Sequence, residues 1–117
     1  MGHVAMILRK PPYGDINAAE AVRHALGAVS GDWKVSLVLV DGGVLLARGG
    51  QDDTGSGFTN LEEALKDCCA MDVGVYAEDL SLEEYSVKAE DMVPGVQVRA
   101  GSDIASIIKS ADKTLIF

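Results

Sequence analysis

Val35-Ser36-Leu37-Val38-Leu39-Val40 is an apolar run rich in β-branched residues, and Asp41-Gly42-Gly43 ends it. A strand that is apolar on both faces fits the interior of a sheet with a covering layer on each face. Helical crossovers supply such layers in parallel sheets, whereas antiparallel sheets often leave one face open to water. The run therefore predicts a central strand of an α/β sheet.

Working outward from this run, four shorter apolar runs predict further strands at residues 4–8, 73–77, 96–98 and 113–117. Apolar residues at helical spacing, together with capping residues, predict four helices between the strands. The first runs from an N-cap at Asp15 to a left-handed C-cap at Gly31, and the second begins at Leu61 with a capping box at Thr59. The third is short and is capped by Ser81, and the fourth is capped by Ser102. Residues 44–47 fit no assigned element, and residues 49–60 have the composition of a surface loop. The alternation predicts one domain over residues 1–117, with a mostly parallel five-stranded sheet and helices on both faces, in three layers.

The composition excludes several classes of function. Ten basic and 18 acidic residues give a formal net charge of −8, which repels a phosphate backbone, so no nucleic-acid partner is expected. The apolar runs fall far short of the roughly 20 residues that cross a bilayer, and the start of the chain has no export-signal pattern. The only two cysteines, Cys68 and Cys69, are adjacent and cannot join distant segments. We therefore expect a cytoplasmic protein with no membrane attachment.

The crevice beyond the carboxyl ends of parallel strands is the usual binding site in such a sheet. A phosphoacceptor domain would need paired carboxylates after the first strand, where Arg9 and Lys10 stand instead. A flavin phosphate loop needs free backbone N–H groups, and Pro11 and Pro12 have none. No glycine-rich nucleotide motif follows a strand. The sequence thus predicts neither a bound cofactor nor a metal.

The strand ends nevertheless predict a pocket, lined by Tyr13, Gly14, Asp41, Gly42, Glu78 and Asp79. The adjacent acids Glu78 and Asp79 could bind a metal, serve as a general base or begin a solvated loop. The loop is favoured, because general-base catalysis needs a desolvated pocket.

The two thiols are expected to differ. Cys68 shares the apolar helix face of Leu61 and Leu65, which favours a place in the core. Cys69 is turned about 100° away, at the border of that face, and it lies near the negative end of the helix, where a thiolate is disfavoured. If either cysteine is catalytic it is Cys69, although simple packing is the more economical role.

Three segments of the chain resemble the DsrE/DsrF-like proteins, which pass sulfur between partners as cysteine persulfides and include the subunits of the TusBCD complex. These segments are Pro12-Tyr13-Gly14, then Asp41-Gly42-Gly43-Val44 with Gly50-Gln51, and the final stretch from Ser110 to Phe117. The resemblance implies a flavodoxin-like fold. It also implies homo-oligomers, either trimers or hexamers, or hetero-oligomers with related sulfur-relay subunits, whose interfaces border the sulfur site.

The chain departs from this family at one decisive position. Relay-active members carry their cysteine just after the strand that corresponds to residues 73–77, and the residue there is Glu78. A carboxylate cannot carry sulfane sulfur, since the transfer needs a thiolate nucleophile. The leading hypothesis is therefore a non-catalytic or divergent subunit of a sulfur relay. Two alternatives are a persulfide-carrying sulfurtransferase that uses Cys69 and a small-ligand-binding module that uses the predicted pocket.

Overall fold

A computed structural model of the protein describes residues 2–12, 16–49 and 61–117. The strands are β1 (His3–Leu8), β2 (Lys34–Leu39), β3 (Gly74–Glu78), β4 (Gln97–Arg99) and β5 (Lys113–Ile116). The helices are α1 (Asn17–Ser30), α2 (Leu61–Ala70), α3 (Asp79–Glu84) and α4 (Gly101–Ser110), with 3₁₀ helices at Asp41–Ala47 and Ala89–Asp91. Each predicted strand is present, with its ends shifted by no more than one residue.

All five strands lie parallel in one sheet, in the order β4-β3-β2-β1-β5. Right-handed crossovers from β1 to β2 and on to β3 place α1 and α2 on one face, and the return from β4 to β5 places α4 on the other face. In agreement, α1 packs against α2, while α4 contacts β1 and β3. The predicted three-layer α/β fold, with β2 at its centre, is confirmed.

The main core lies between the sheet and the layer formed by α1 and α2. Leu8, Leu37 and Leu39 of the sheet meet Leu65 of α2 there, and all four side chains are fully buried. Leu46 joins them from the 3₁₀ helix Asp41–Ala47, the segment that the sequence left partly unassigned. Burying one such side chain stabilises the fold by about 1.5–3 kcal/mol, so this short helix belongs to the structural core.

The 3₁₀ helix Asp41–Ala47 lies directly on the end of β1. The backbone N–H of Val40 donates to the carbonyl of Leu8 at 3.1 Å. A Cβ atom added to Gly43 would lie only 2.1 Å from the same Leu8 carbonyl oxygen. The absence of a side chain at Gly43 therefore permits the close approach of two backbone segments.

Gly31 is the C-cap of α1, as predicted, but its left-handed conformation was wrong: its φ is −91°, and the left-handed residue is Asp32 with a φ of 68°. Two predicted N-caps were also wrong. Ser81 and Ser102 lie inside α3 and α4, which begin at Asp79 and Gly101. The predicted caps at Asp15 and Thr59, and most of the predicted loop at 49–60, lie outside the described residues.

Seven large apolar residues in the described part of the chain are exposed, and four of them lie at the same edge of the sheet. We call the edge at the carboxyl ends of the strands the carboxyl edge and the opposite one the amino edge. Ile16, Leu80, Tyr85 and Ile116 all lie near the carboxyl edge, and each is at least 38% exposed. No helix in the described part of the chain combines the length and the apolar character needed to cross a bilayer.

Candidate functional site

The carboxyl edge brings together chain segments that are far apart in sequence. Arg9 and Lys10 follow β1, Asp41 begins the 3₁₀ helix after β2, and Glu78 is the last residue of β3. The helix α3 starts directly after Glu78 and places Ser81 next to Asp41, 40 residues away. A parallel sheet produces this convergence, because all strands end at the same edge.

Ser81 connects two of these strand ends. Its side chain is only 2% exposed, and its Oγ donates to Oε1 of Glu78 at 2.5 Å. Oγ of Ser81 also accepts a hydrogen bond from the backbone N–H of Asp41, at 2.9 Å. Asp41 has a φ of 50°, in the left-handed region of backbone conformation that residues other than glycine rarely adopt. The Ser81 hydroxyl thus joins the exits of β2 and β3 through one buried oxygen.

The Glu78 carboxylate also lies beside the start of α4. A Cβ atom on Gly101, the first residue of α4, would lie 3.3 Å from Oε2 of Glu78, so the glycine leaves room for the carboxylate. The residue before it, Ala100, has no side chain that can cap the helix. The amino end of a helix carries partial positive charge and favours an anion nearby. Glu78 is therefore a half-buried anion with fixed partners.

The structure does not join the other predicted pocket residues to the Ser81 and Glu78 contacts. Oδ1 of Asp79 accepts the backbone N–H of the next residue, Leu80, at 2.7 Å. Tyr13 and Gly14 lie outside the described residues. Among the residues that are described, no group of three or more His, Cys, Asp or Glu side chains is placed to hold a metal ion. Asp41, Gly42 and Glu78 share the carboxyl edge, but their role as a pocket stays a prediction.

A cavity of about 430 Å³ opens at this edge between the ends of β1 and β5. Asp41 and Gly42 line it, together with six residues outside the predicted pocket: Arg9, Lys10, Pro11, Tyr85, Ile116 and Phe117. Nε of Arg9 lies 3.4 Å from Oδ2 of Asp41, and both side chains are more than half exposed. The adjacent basic residues Arg9 and Lys10, in an acidic chain, were the sequence signal that could have pointed to this cavity. The sequence holds no such signal for Ile116, because only the strand order of the folded sheet places β5 beside β1.

Neither thiol is prepared for nucleophilic chemistry. Burial raises the pKa of Cys68 to about 12, and repulsion from the Cys69 thiolate, where it forms, and from the Asp67 carboxylate adds to the effect. Burial also raises the pKa of Cys69, whose side chain is half-buried. The thiolate is the reactive form, so both cysteines hold little of it at neutral pH.

Both cysteines also lie at the wrong edge for the predicted pocket. They occupy the last turn of α2, which leads into β3 at the amino edge, and the N–H of Val73 donates to the carbonyl of Cys68. The Sγ atom of Cys69 lies 3.0 Å from where a Cβ of Gly95, just before β4, would stand. At about 3.3 Å per residue, the five residues of β3 separate Cys69 from the end of that strand.

Replacing Ser81 with alanine should cost about 1–3 kcal/mol of unfolding free energy, because the Asp41 N–H would lose its acceptor in a part-buried site. Urea denaturation measures this loss. Ser110→Ala is the matched control, since the exposed Ser110 hydroxyl donates to the carbonyl of Ile107 in its own helix and to no other described residue. We expect the control to cost less than about 0.5 kcal/mol. Equal losses in the two variants would show that Ser81 does not connect the strand ends.

A model of the DsrE/DsrF-like family matches residues 2–117. The chain is 26% identical over 114 residues to an uncharacterised protein of Methanopyrus kandleri, a match that covers 97% of this chain and 93% of that protein. It is 33% identical over 86 residues to the intracellular sulfur oxidation protein DsrF of Allochromatium vinosum, a match that covers 73% of this chain and 63% of DsrF.

Solved structures share the fold. The crystal structure of the YchN protein from E. coli superimposes with a TM-score of 0.91 at 21% identity, over 100% of both chains. A protein of unknown function from Methanobacterium thermoautotrophicum gives a TM-score of 0.75 at 12% identity, again over 100% of both chains. At such identities the likeness concerns the arrangement of strands and helices, and it says nothing about chemistry.

Proposed function

Because the chain belongs to the DsrE/DsrF-like family, we propose that it is an oligomeric subunit of intracellular sulfur handling that does not itself carry persulfide. One observation carries the proposal. The end of β3, where the resemblance places the family's cysteine, holds Glu78, and the only two thiols of the chain lie at the amino edge. The relative DsrF is an intracellular sulfur oxidation protein, which supports a role of this chain in sulfur metabolism.

The chemistry of relay explains why this position matters. A cysteine thiolate attacks the terminal sulfane sulfur of a donor persulfide, the sulfur–sulfur bond of the donor breaks, and the donor leaves as a thiolate. The acceptor then holds the sulfur as a persulfide. Glu78 has no sulfur nucleophile, and its carboxylate is already held by Ser81 beside Gly101. The edge is therefore suited to binding and positioning rather than to sulfur transfer.

The role of a partner subunit fits the surface of the carboxyl edge. Ile116 and Leu80 are 68% and 67% exposed there, and Tyr85 is 38% exposed. Exposed apolar groups that concentrate in one region are typical of protein interfaces. We propose that this edge meets other subunits, either in a homotrimer or homohexamer or in a hetero-oligomer with related sulfur-relay proteins, and that the assembly works in the cytoplasm.

Incubation with inorganic polysulfide followed by intact-mass spectrometry tests the sulfur claim. We expect the folded protein to gain no stable sulfur atom at neutral pH, because both thiols are shielded and mostly protonated. The same protein treated after unfolding in urea is the positive control and should gain sulfur. A gain in the folded protein that disappears in Cys69→Ser would contradict the proposal and establish Cys69 as the carrier.

Native mass spectrometry tests the oligomeric claim on the same samples. We expect masses of three or six subunits at micromolar concentration, for the protein alone or after addition of a related subunit. A protein that stays monomeric under both conditions would contradict this part of the proposal. Leu80→Glu, which adds a charge to the exposed apolar edge, should shift the assembly towards monomers.

A further inference from the structure

A second cavity of about 430 Å³ lies away from the carboxyl-edge site, in a groove between α1 and β5. Its floor is apolar and is formed by Val4 and Met6 of β1, which are paired with Lys113 and Leu115 of β5. We call it the α1–β5 groove. The groove exists because α1 packs over β1 and β2. The outermost strand, β5, is therefore not covered by this helix.

The helix side of the groove is open because of Gly27. A Cβ atom built on this residue meets no atom within 4 Å. Trp33, the only tryptophan in the chain, lies at the amino-edge end of the groove. Leu115 is 42% exposed on the other side. The groove can therefore cover the apolar part of a ligand between a helix, a strand and an indole ring.

Three basic side chains line the rim of the groove. Arg23, His24 and Lys113 line it, and among the described residues no acidic side chain does. The carboxylate of Glu20 lies 2.6 Å from Nη2 of Arg23 and 3.8 Å from Nδ1 of His24, so both residues share this one acidic partner. Lys113 has no ion-pair partner within the described part of the chain. Lys113 is therefore the basic group of the groove that is left to bind an anion.

We propose that the α1–β5 groove binds a small amphipathic anion, with a carboxylate at Lys113 and an unbranched apolar chain along Val4, Met6 and Leu115. Charge complementarity selects this occupant. The ammonium group of Lys113 would repel a cationic amphiphile, and a second copy of the protein placed symmetrically would bring a second Lys113 to the same groove. The inference goes beyond the sulfur-handling role and does not depend on it.

Octanoate is the test ligand, and the emission of Trp33 reports its binding directly. We expect a saturable change with a Kd on the order of 1–10 mM, as ligand efficiencies predict for about ten non-hydrogen atoms. Octylammonium has the same chain and the opposite charge. The net charge of −8 attracts octylammonium over the whole protein, so a preference of about fivefold or more for octanoate would come from the groove itself.

Three variants locate the site. Gly27→Leu fills the open space, keeps the helix and should remove the saturable response, while circular dichroism and thermal unfolding show that the protein stays folded. Lys113→Gln should reduce the preference for octanoate to less than about twofold. Lys88→Gln removes an equal charge from the exposed loop before the 3₁₀ helix Ala89–Asp91 and should change nothing.

Several results would overturn the proposal: octanoate causes no saturable response, Gly27→Leu still binds it, or octylammonium binds equally well. Trp33 emission that depends on protein concentration without ligand, and that octanoate leaves unchanged, would mean that a second copy fills the groove. The persulfide experiment is independent of all these outcomes, so failure here leaves the proposed function in place.

Discussion

Glu78→Cys is expected to turn a chain that resists sulfur loading into one that gains a single sulfur atom per subunit. The new thiol would stand at the end of β3, within reach of the Ser81 hydroxyl that now donates to Glu78 and beside the first residue of α4. A hydroxyl donor and the amino end of a helix both stabilise a thiolate, which lowers the pKa of the thiol. We expect polysulfide to load this variant roughly 100-fold faster than the unmodified protein.

Two variants control this experiment. Glu78→Ser removes the same carboxylate without adding a thiol and should gain no sulfur. Asp79→Cys adds a thiol at the neighbouring residue, whose side chain contacts only the backbone of Leu80 in the described structure. Intact-mass spectrometry over a time course gives the rates. If Glu78→Cys loads no faster than Asp79→Cys, the end of β3 is not a sulfur position in this protein, and the proposal that Glu78 stands in place of the family's cysteine is contradicted.

Gly43→Ala is expected to cost more than about 3 kcal/mol of unfolding free energy, or to prevent folding. The added methyl group would lie 2.1 Å from the Leu8 carbonyl oxygen and 2.8 Å from its carbon, both of them backbone atoms that no rotamer change can move. The 3₁₀ helix Asp41–Ala47 would have to leave the end of β1, and Leu46 would leave the core with it. Urea denaturation measures the loss.

Gly42→Ala is the matched neighbour for this test. Its methyl group would lie 3.1 Å from ring atoms of Pro11, a contact that a small shift relieves. Neither glycine has a positive φ, so the comparison isolates the contact from backbone strain. We expect about 1 kcal/mol or less for Gly42→Ala. Losses within 1 kcal/mol of each other would mean that the close approach of Gly43 to β1 does not hold the carboxyl edge together.

The strands could be predicted from the sequence because their signal is local. The run at 35–40 is apolar on both faces, and this alone requires covering layers on both sides of the sheet. The identity of Glu78 as the residue at a strand end also follows from the chain, as does the adjacency of the two thiols. Helix caps were less well predicted, since the Ser81 hydroxyl bonds Glu78 and the distant Asp41 instead of capping α3.

The sequence by itself determined the layered α/β fold, the family resemblance and the lack of a thiol at the end of β3. Only the tertiary structure decided which residues meet: Ser81 with Asp41 at the carboxyl edge, Cys69 with Gly95 at the amino edge, and Lys113 with the floor of the α1–β5 groove. Hydrophobic periodicity is a property of neighbouring residues, so it can be read along the chain. Contacts between strand ends depend on strand order, and strand order is set by how the whole core packs.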